Sequence, residues 1–112
     1  MNINFTNDTI EGKIVDMAKV IYKGKTIAES NDTVKVEGNH YFPLNSIKNN
    51  LLQKSELKTT YFWKGEAHYY NLEIEDEVFT DTVWYYPNPS NEALSIKNRI
   101  AFYQKNGIQV ID

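Results

Sequence analysis

From Ala18 onward, apolar and polar side chains alternate in short runs cut by Gly and Asn, the period of half-buried strands. Val20 and Tyr22 alternate with Lys19 and Ile21, Lys23-Gly24 makes a tight turn, and Thr26–Glu29 returns. Gly at such a turn supplies the positive φ that a two-residue hairpin connection needs. Val34 and Val36 share a face in the next run, and Gly38-Asn39 turns the chain into His40–Pro43. Pro43 has no N–H to donate, so that strand ends there or lies at an edge. Asn45–Leu52 predicts a short helix, with Asn45 as cap and Ile47, Leu51 and Leu52 on one face. Ser90–Asn98, directly after Pro89, predicts a second. Arg99–Tyr103 and Ile108–Ile111 predict a closing hairpin over Lys105-Asn106-Gly107.

The stretch Thr59–Pro89 is the centre of this pattern, holding both Trp and five of the eight Tyr. It reads as two long strands joined by the acidic turn Glu75-Asp76-Glu77. Thr59, Tyr61 and Trp63 share one face until Gly65 interrupts the run, which predicts a bulge or a close approach by a ligand or another backbone. Beyond Gly65, His68, Tyr70, Leu72 and Ile74 share one face with Glu66, and Ala67 and Tyr69 fall on the other. Counting from the acidic turn pairs Ile74 with Val78 and brings Trp84–Tyr86 level with Glu66–His68, beside the Lys64-Gly65 bulge. Arg99 opens a strand that must flank this hairpin if the aromatic face is to be covered.

Composition narrows the partners. At 112 residues the chain is one domain by size, with residues 1–16 read as an N-terminal extension and 17–112 as the domain. The extension's apolar residues follow neither period, which fits a loose tail, an edge strand or an arm for subunit contact. The net charge is −3, and no Lys or Arg lies between Gly65 and Ile96, so the aromatic hairpin is no platform for nucleic acid. Absence of Cys removes disulfides and thiolate-bound zinc. No run approaches the ~20 apolar residues of a membrane span and nothing resembles a signal peptide, so the expected setting is cytoplasmic.

Candidate chemistry is sparse. His40 and His68 are the only histidines, and Glu66 with His68 at i, i+2 is too little for a metal site, so no metal and no cofactor are expected. The acidic turn lacks the Gly-Ser phosphate loop that a nucleotidyltransferase sets beside its carboxylates, and no serine sits in a nucleophile elbow. What remains is Trp63, the Lys64-Gly65 pair, Trp84 and Tyr86 on adjacent strands, and Arg99. Apolar walls with a few fixed polar groups are the usual make-up of a small-ligand site.

KGEAHYY at Lys64–Tyr70, WYYPNP at Trp84–Pro89 and RIAFY at Arg99–Tyr103, with YFP at Tyr41–Pro43 and AKVIYKGKTIAES from Ala18, resemble the domain of unknown function family numbered 427. The resemblance runs from about Met17 to the C-terminus. It implies a β-tent type of fold, similar to methionine sulfoxide reductase B and cereblon-type ligand modules. Some catalogues file the family as nucleotidyltransferase-like, with no activity assigned. Family members often carry Cys where this chain has Tyr61, so thiol chemistry is closed here.

Pattern and resemblance together predict a mainly β domain: two small antiparallel sheets packed at a steep angle, with one or two short helices. The leading functional expectation is binding of a small, anionic or hydrogen-bonding metabolite. Trp63, Trp84 and Tyr86 would wall the pocket beside Gly65, with Lys64 and Arg99 at its mouth. The alternatives are an enzyme using Lys64 as acid, base or electrostatic stabiliser with Tyr86 as hydrogen-bond donor, and a structural domain that meets a partner subunit through residues 1–16.

Overall fold

A computed structural model describes residues 17–112, so the N-terminal extension and its subunit-contact reading lie outside the described residues. The chain is mainly β, as its alternation predicts, but it builds three antiparallel sheets in place of two. Strands β1 (Ala18–Tyr22) and β2 (Lys25–Ser30) form the first hairpin. Its turn residues Lys23 and Gly24 both have positive φ, at 48° and 84°, the twist that suits a two-residue connection. A ribbon of β3 (Val34–Val36) and β4 (Asn39–Tyr41) follows. Its turn is Glu37-Gly38, one residue earlier than expected, with φ of 54° and 82°. Strands β5 (Leu52–Tyr61), β6 (Gly65–Ile74), β7 (Glu77–Tyr85) and β8 (Ile100–Phe102) make a four-stranded sheet in that order. Strand β9 (Ile108–Ile111) joins β1 at the edge of the first sheet.

The expected helices are replaced by 3-10 turns. Asn45–Leu52 divides into Leu44–Ser46 and Asn49–Leu51, and Leu52 already opens β5. Between the two turns, Ile47 is extended (φ −121°, ψ 151°), is buried, and bridges Ala28 of β2. Burying that side chain against β2 overrides the helical spacing, and a helix so short had little cooperativity with which to resist. Ser90–Asn98 contains only the 3-10 segment Asn91–Ile96, broken at Ala93 (φ −117°, ψ 20°), where Ala93 and Ile96 turn into the core. The Ser90 hydroxyl makes no cap and donates instead to the Trp63 carbonyl at 2.5 Å.

Two pairings also differ from expectation. The turn before Ile108 forms, with φ of 55° at Asn106 and 87° at Gly107, but the strands on either side of it do not pair. Strand β8 pairs with β7 and β9 with β1, so the turn links two sheets whose core buries both Phe102 and Ile108. The Lys64-Gly65 pair does not bulge within a strand. Tyr61 pairs with Gly65, so Phe62, Trp63 and Lys64 are the connection between β5 and β6. Irregular pairing lies elsewhere: between Val20 and Ile21 of β1, between Lys54 and Lys58 of β5, and between β6 and β7, where Leu72 faces Phe79 but Tyr70 faces Val83. Asp81 takes a φ of 54° there and donates its N–H to the Asn71 side chain at 2.9 Å. The turn takes only Glu75 and Asp76, both at positive φ, so Ile74 pairs with Glu77 rather than Val78; past the irregularity Trp84 stands opposite Tyr69.

The four-stranded sheet is packed on both faces. One face joins Leu72, Ile74, Val83, Ile100 and Phe102 to Val20, Tyr22, Ala28 and Ile108 of the three-stranded sheet. The other gathers Ala67, Tyr69, Tyr86 and Ala101 with Tyr41, Ala93 and Ile96, and the ribbon residues Val34 and Val36 lean on it. Each face takes alternate residues of the same strands, as the pleat requires. Among the described residues, no helix is long and apolar enough to cross a membrane.

Gly65 has a φ of 116°, and a Cβ there would stand 3.3 Å from the Asn88 carbonyl oxygen. Gly65→Ala should therefore lower stability by about 1–3 kcal/mol in urea unfolding. Gly24→Ala, with a φ of 84° and open space around it, should cost less. Equal losses would mean that backbone conformation alone, and not the approach of Asn88, fixes Gly65.

Candidate functional site

The face of the four-stranded sheet nearer the ribbon carries a run of rings and hydroxyls. Trp84 of β7 pairs with Tyr69 of β6, and Tyr103 follows β8 to lie 4.5 Å from the Trp84 ring. Tyr41 of β4 meets Trp84 edge-on at 6.3 Å, and its hydroxyl accepts the Trp84 Nε1 hydrogen at 3.1 Å. Thr59 of β5 and Tyr69 share a hydroxyl hydrogen bond at 2.9 Å. Thr59, Tyr69, Trp84 and Tyr103, together with Glu37, Asn39, Tyr61, Lys64, Tyr86 and Gln104, line a cleft of about 510 Å³.

Lys64 is the cation of this cleft, and it is only 4% exposed. The segment after β7 fixes its backbone: the Ser90 N–H donates to the Lys64 carbonyl at 2.9 Å, beside the Ser90 hydroxyl bond to Trp63. The Lys64 ammonium donates to the Glu37 carboxylate. It also lies 4.3 Å from the Tyr61 ring centre, 5.5 Å from Trp63 and 5.6 Å from Tyr86. The other Glu37 oxygen accepts the Trp63 Nε1 hydrogen at 3.1 Å and the Tyr61 hydroxyl at 3.4 Å. One carboxylate at a ribbon tip thus receives three donors, from the end of β5 and the connection that follows it.

Those contacts set the charge states. Burial pulls the Lys64 ammonium down, but the Glu37 hydrogen bond and the neighbouring Tyr41 and Tyr86 oxygens outweigh it, so its pKa rises above the ordinary lysine value. The Lys64 hydrogen bond, helped by Trp63, holds the Glu37 carboxyl below the usual range. Burial pushes the Tyr86 hydroxyl up to about 12 and raises that of Tyr103. At neutral pH the cleft holds one ion pair among neutral phenols.

Lys64, Trp84 and Tyr86 line this cleft; Trp63, expected as a wall, is not part of the lining and reaches it only through Lys64 and Glu37, and the other two expected residues lie elsewhere. Gly65 is pressed against the backbone of residues 88–90, so its missing Cβ makes room for the chain itself. Arg99 does not line the cleft. Its Nη1 donates to the Asp32 carbonyl at 2.6 Å and the Tyr41 carbonyl at 3.5 Å, and its Nη2 lies 3.4 Å from the Asp32 carboxylate. It fastens both ends of the β3–β4 ribbon. Sequence reasoning missed Glu37, Tyr69 and Tyr103. Glu37 did leave a signal: it stands before Gly in a two-residue turn, where Asn or Asp is customary. Glu66 and His68, adjacent on β6, contact each other at 3.0 Å, away from the cleft lining.

A family model described as a domain of unknown function (DUF427) matches residues 13–111, so the match begins slightly before the boundary expected at Met17. No curated protein matches the chain.

The ion pair predicts how stability follows pH. Glu37 has a depressed folded pKa, so its contribution is present above the ordinary carboxylate pKa of about 4.3 and is lost as pH falls through the folded value. Lys64 has a raised folded pKa, so its contribution is full below about 10.4 and is lost as pH rises through the folded value. Urea unfolding across pH should show both limbs. Glu37→Gln should weaken the acid limb and move the alkaline limb to lower pH, since burial then acts on Lys64 without its partner. Unchanged limbs in that variant would mean that the pair does not control the protonation of Lys64.

Proposed function

We propose that this chain, which belongs to the domain of unknown function family 427, is a binding domain for a small, hydrogen-bonding metabolite that carries a ring. The observation behind this reading is the cleft of about 510 Å³, walled by Tyr61, Trp84 and Tyr103 and studded with neutral hydroxyls. Its volume falls within the ~300–1,000 Å³ of small-molecule sites, and a few fixed polar groups among rings are their usual lining. Offset or edge contacts with a ligand ring would engage the quadrupoles of Trp84 and Tyr103. Thr59, Tyr69 and Gln104 would fix its orientation.

The ion pair weighs against the enzymatic alternative. A general acid or base works best with a pKa near the operating pH. Lys64 is shifted upward by Glu37, and Tyr86 titrates at about 12, so neither is poised for proton transfer at neutral pH. Electrostatic stabilisation by Lys64 is the role left to that reading.

Trp84 lines the cleft and Trp63 is hydrogen-bonded to its Glu37, so intrinsic fluorescence reports on its occupancy. Native mass spectrometry should find a retained small molecule, and adding that molecule to stripped protein should change the emission. Tyr103→Ala should weaken its binding about tenfold, near 1.4 kcal/mol. Arg99→Lys should leave the affinity as it is, because Arg99 is spent on Asp32 and Tyr41. A metabolite library in which no member alters the emission would sink the binding reading.

A further inference from the structure

We propose that Lys64, Trp63 and Tyr61 form a seat for a ligand carboxylate, and that Glu37 fills it in cis. The β3–β4 ribbon is thereby latched against the cleft until a carboxylate-bearing ligand takes its place. The inference rests on the binding reading and adds to it the chemical class of the ligand and the means of admission.

Three observations carry it. First, the donors lie in one short stretch, the last residue of β5 and the connection after it, and converge on one carboxylate: the Lys64 ammonium, Trp63 Nε1 at 3.1 Å and the Tyr61 hydroxyl at 3.4 Å. A point charge with two directional donors is a receptor for a carboxylate. Because Lys64 is 4% exposed, its ammonium needs an anionic partner in any occupied state. A neutral ligand cannot replace Glu37 there.

Second, the partner now in the seat is exchangeable. The Glu37 side chain is 40% exposed against 6% for Lys64, so the seat is fixed and its occupant faces water. Glu37 also holds a φ of 54°, a conformation unfavourable to a residue with a Cβ. Lys23 and Glu75 hold the same conformation in their own turns, so the turn tolerates Glu37 without requiring it.

Third, the ribbon is anchored at its base and tied at its tip by Glu37. At the base, Phe42 exchanges backbone hydrogen bonds with Ile100 at 2.7 and 2.9 Å, and Arg99 holds Asp32 and Tyr41. At the tip, Glu37 and Asn39 border the cleft. Displacing that carboxylate releases the tie of the tip to Lys64, while Val34 and Val36 against the core, the His40–Asp112 contact and the base stay in place.

The test removes the latch and offers a carboxylate in solution. Glu37→Gly empties the seat and suits the positive φ of the turn. Sodium acetate, compared with sodium chloride at equal ionic strength, should then raise the Tm of this variant saturably. At about five times its dissociation constant the rise should be about 4–8 °C. A variant that folds only in acetate gives the same support. Adding Lys64→Met to Glu37→Gly should abolish the acetate effect. Should Glu37→Gly fold in neither salt, Glu37→Gln, which keeps the size and loses the charge, gives the same reading with weaker half-saturation. Equal Tm in acetate and chloride, in whichever variant folds, overturns the proposal. If a retained metabolite still changes Trp emission in that case, the cleft binds and only the carboxylate seat is wrong. An acetate effect without any metabolite response would leave the seat standing and remove the wider binding reading.

Discussion

A buried ammonium must have a counter-charge, and much of this domain is arranged around giving Lys64 one. Taking a lysine head out of water costs several kcal/mol unless a carboxylate and further polar contacts replace the solvent. Glu37 supplies the charge, and the faces of Tyr61, Trp63 and Tyr86 supply the quadrupolar contacts that lysine accepts when desolvated. The two residues come from different sheets, so the pair decides where a two-stranded ribbon sits on a four-stranded one. A ribbon of three-residue strands has little stability of its own. It is held by what it reaches: Lys64 at the tip, Ile100 and Arg99 at the base, and the Trp84 ring against Tyr41 between them.

The strand content and much of the site were legible because they depend on local rules. Lys23-Gly24 had to turn, the acidic residues after Ile74 had to be a hairpin tip, and Trp84 and Tyr86 had to adjoin the strand that follows Gly65. What failed depended on distant partners. Nothing near Ile47 reveals that Ala28 will pair with it, and nothing near Tyr103 reveals that β8 and β9 will part into different sheets. Gly65 was correctly singled out, but its reason is the backbone at Asn88 and not a ligand. The irregular pairing at Asn71 and Asp81 was invisible since Asp81 carries no glycine to mark its positive φ.

Arg99 and Lys64 looked alike in the sequence, two cations flanking an aromatic set, and the fold gave them different work. Guanidinium geometry suits several acceptors at once, and Arg99 uses it to clamp two carbonyls and a carboxylate at the ribbon base. A lysine there would reach fewer of them. The Lys64 position favours a compact head on a flexible stem, which can meet one carboxylate while rings close around it. Of the two expected cations, only Lys64 borders the cleft, and its charge is already balanced.

On the proposed binding reading, that balance would set how the cleft discriminates. Burial raises the pKa values of Tyr86 and Tyr103, so both remain neutral donors and acceptors across the physiological range. A second anion added to the occupied seat would meet Glu37 with no cation to spare. An anion that replaces Glu37 would meet three donors already aimed at its position. Under the proposed latch the same residues would reject charge while Glu37 is seated and require it once Glu37 leaves, and the difference would be the position of a single carboxylate.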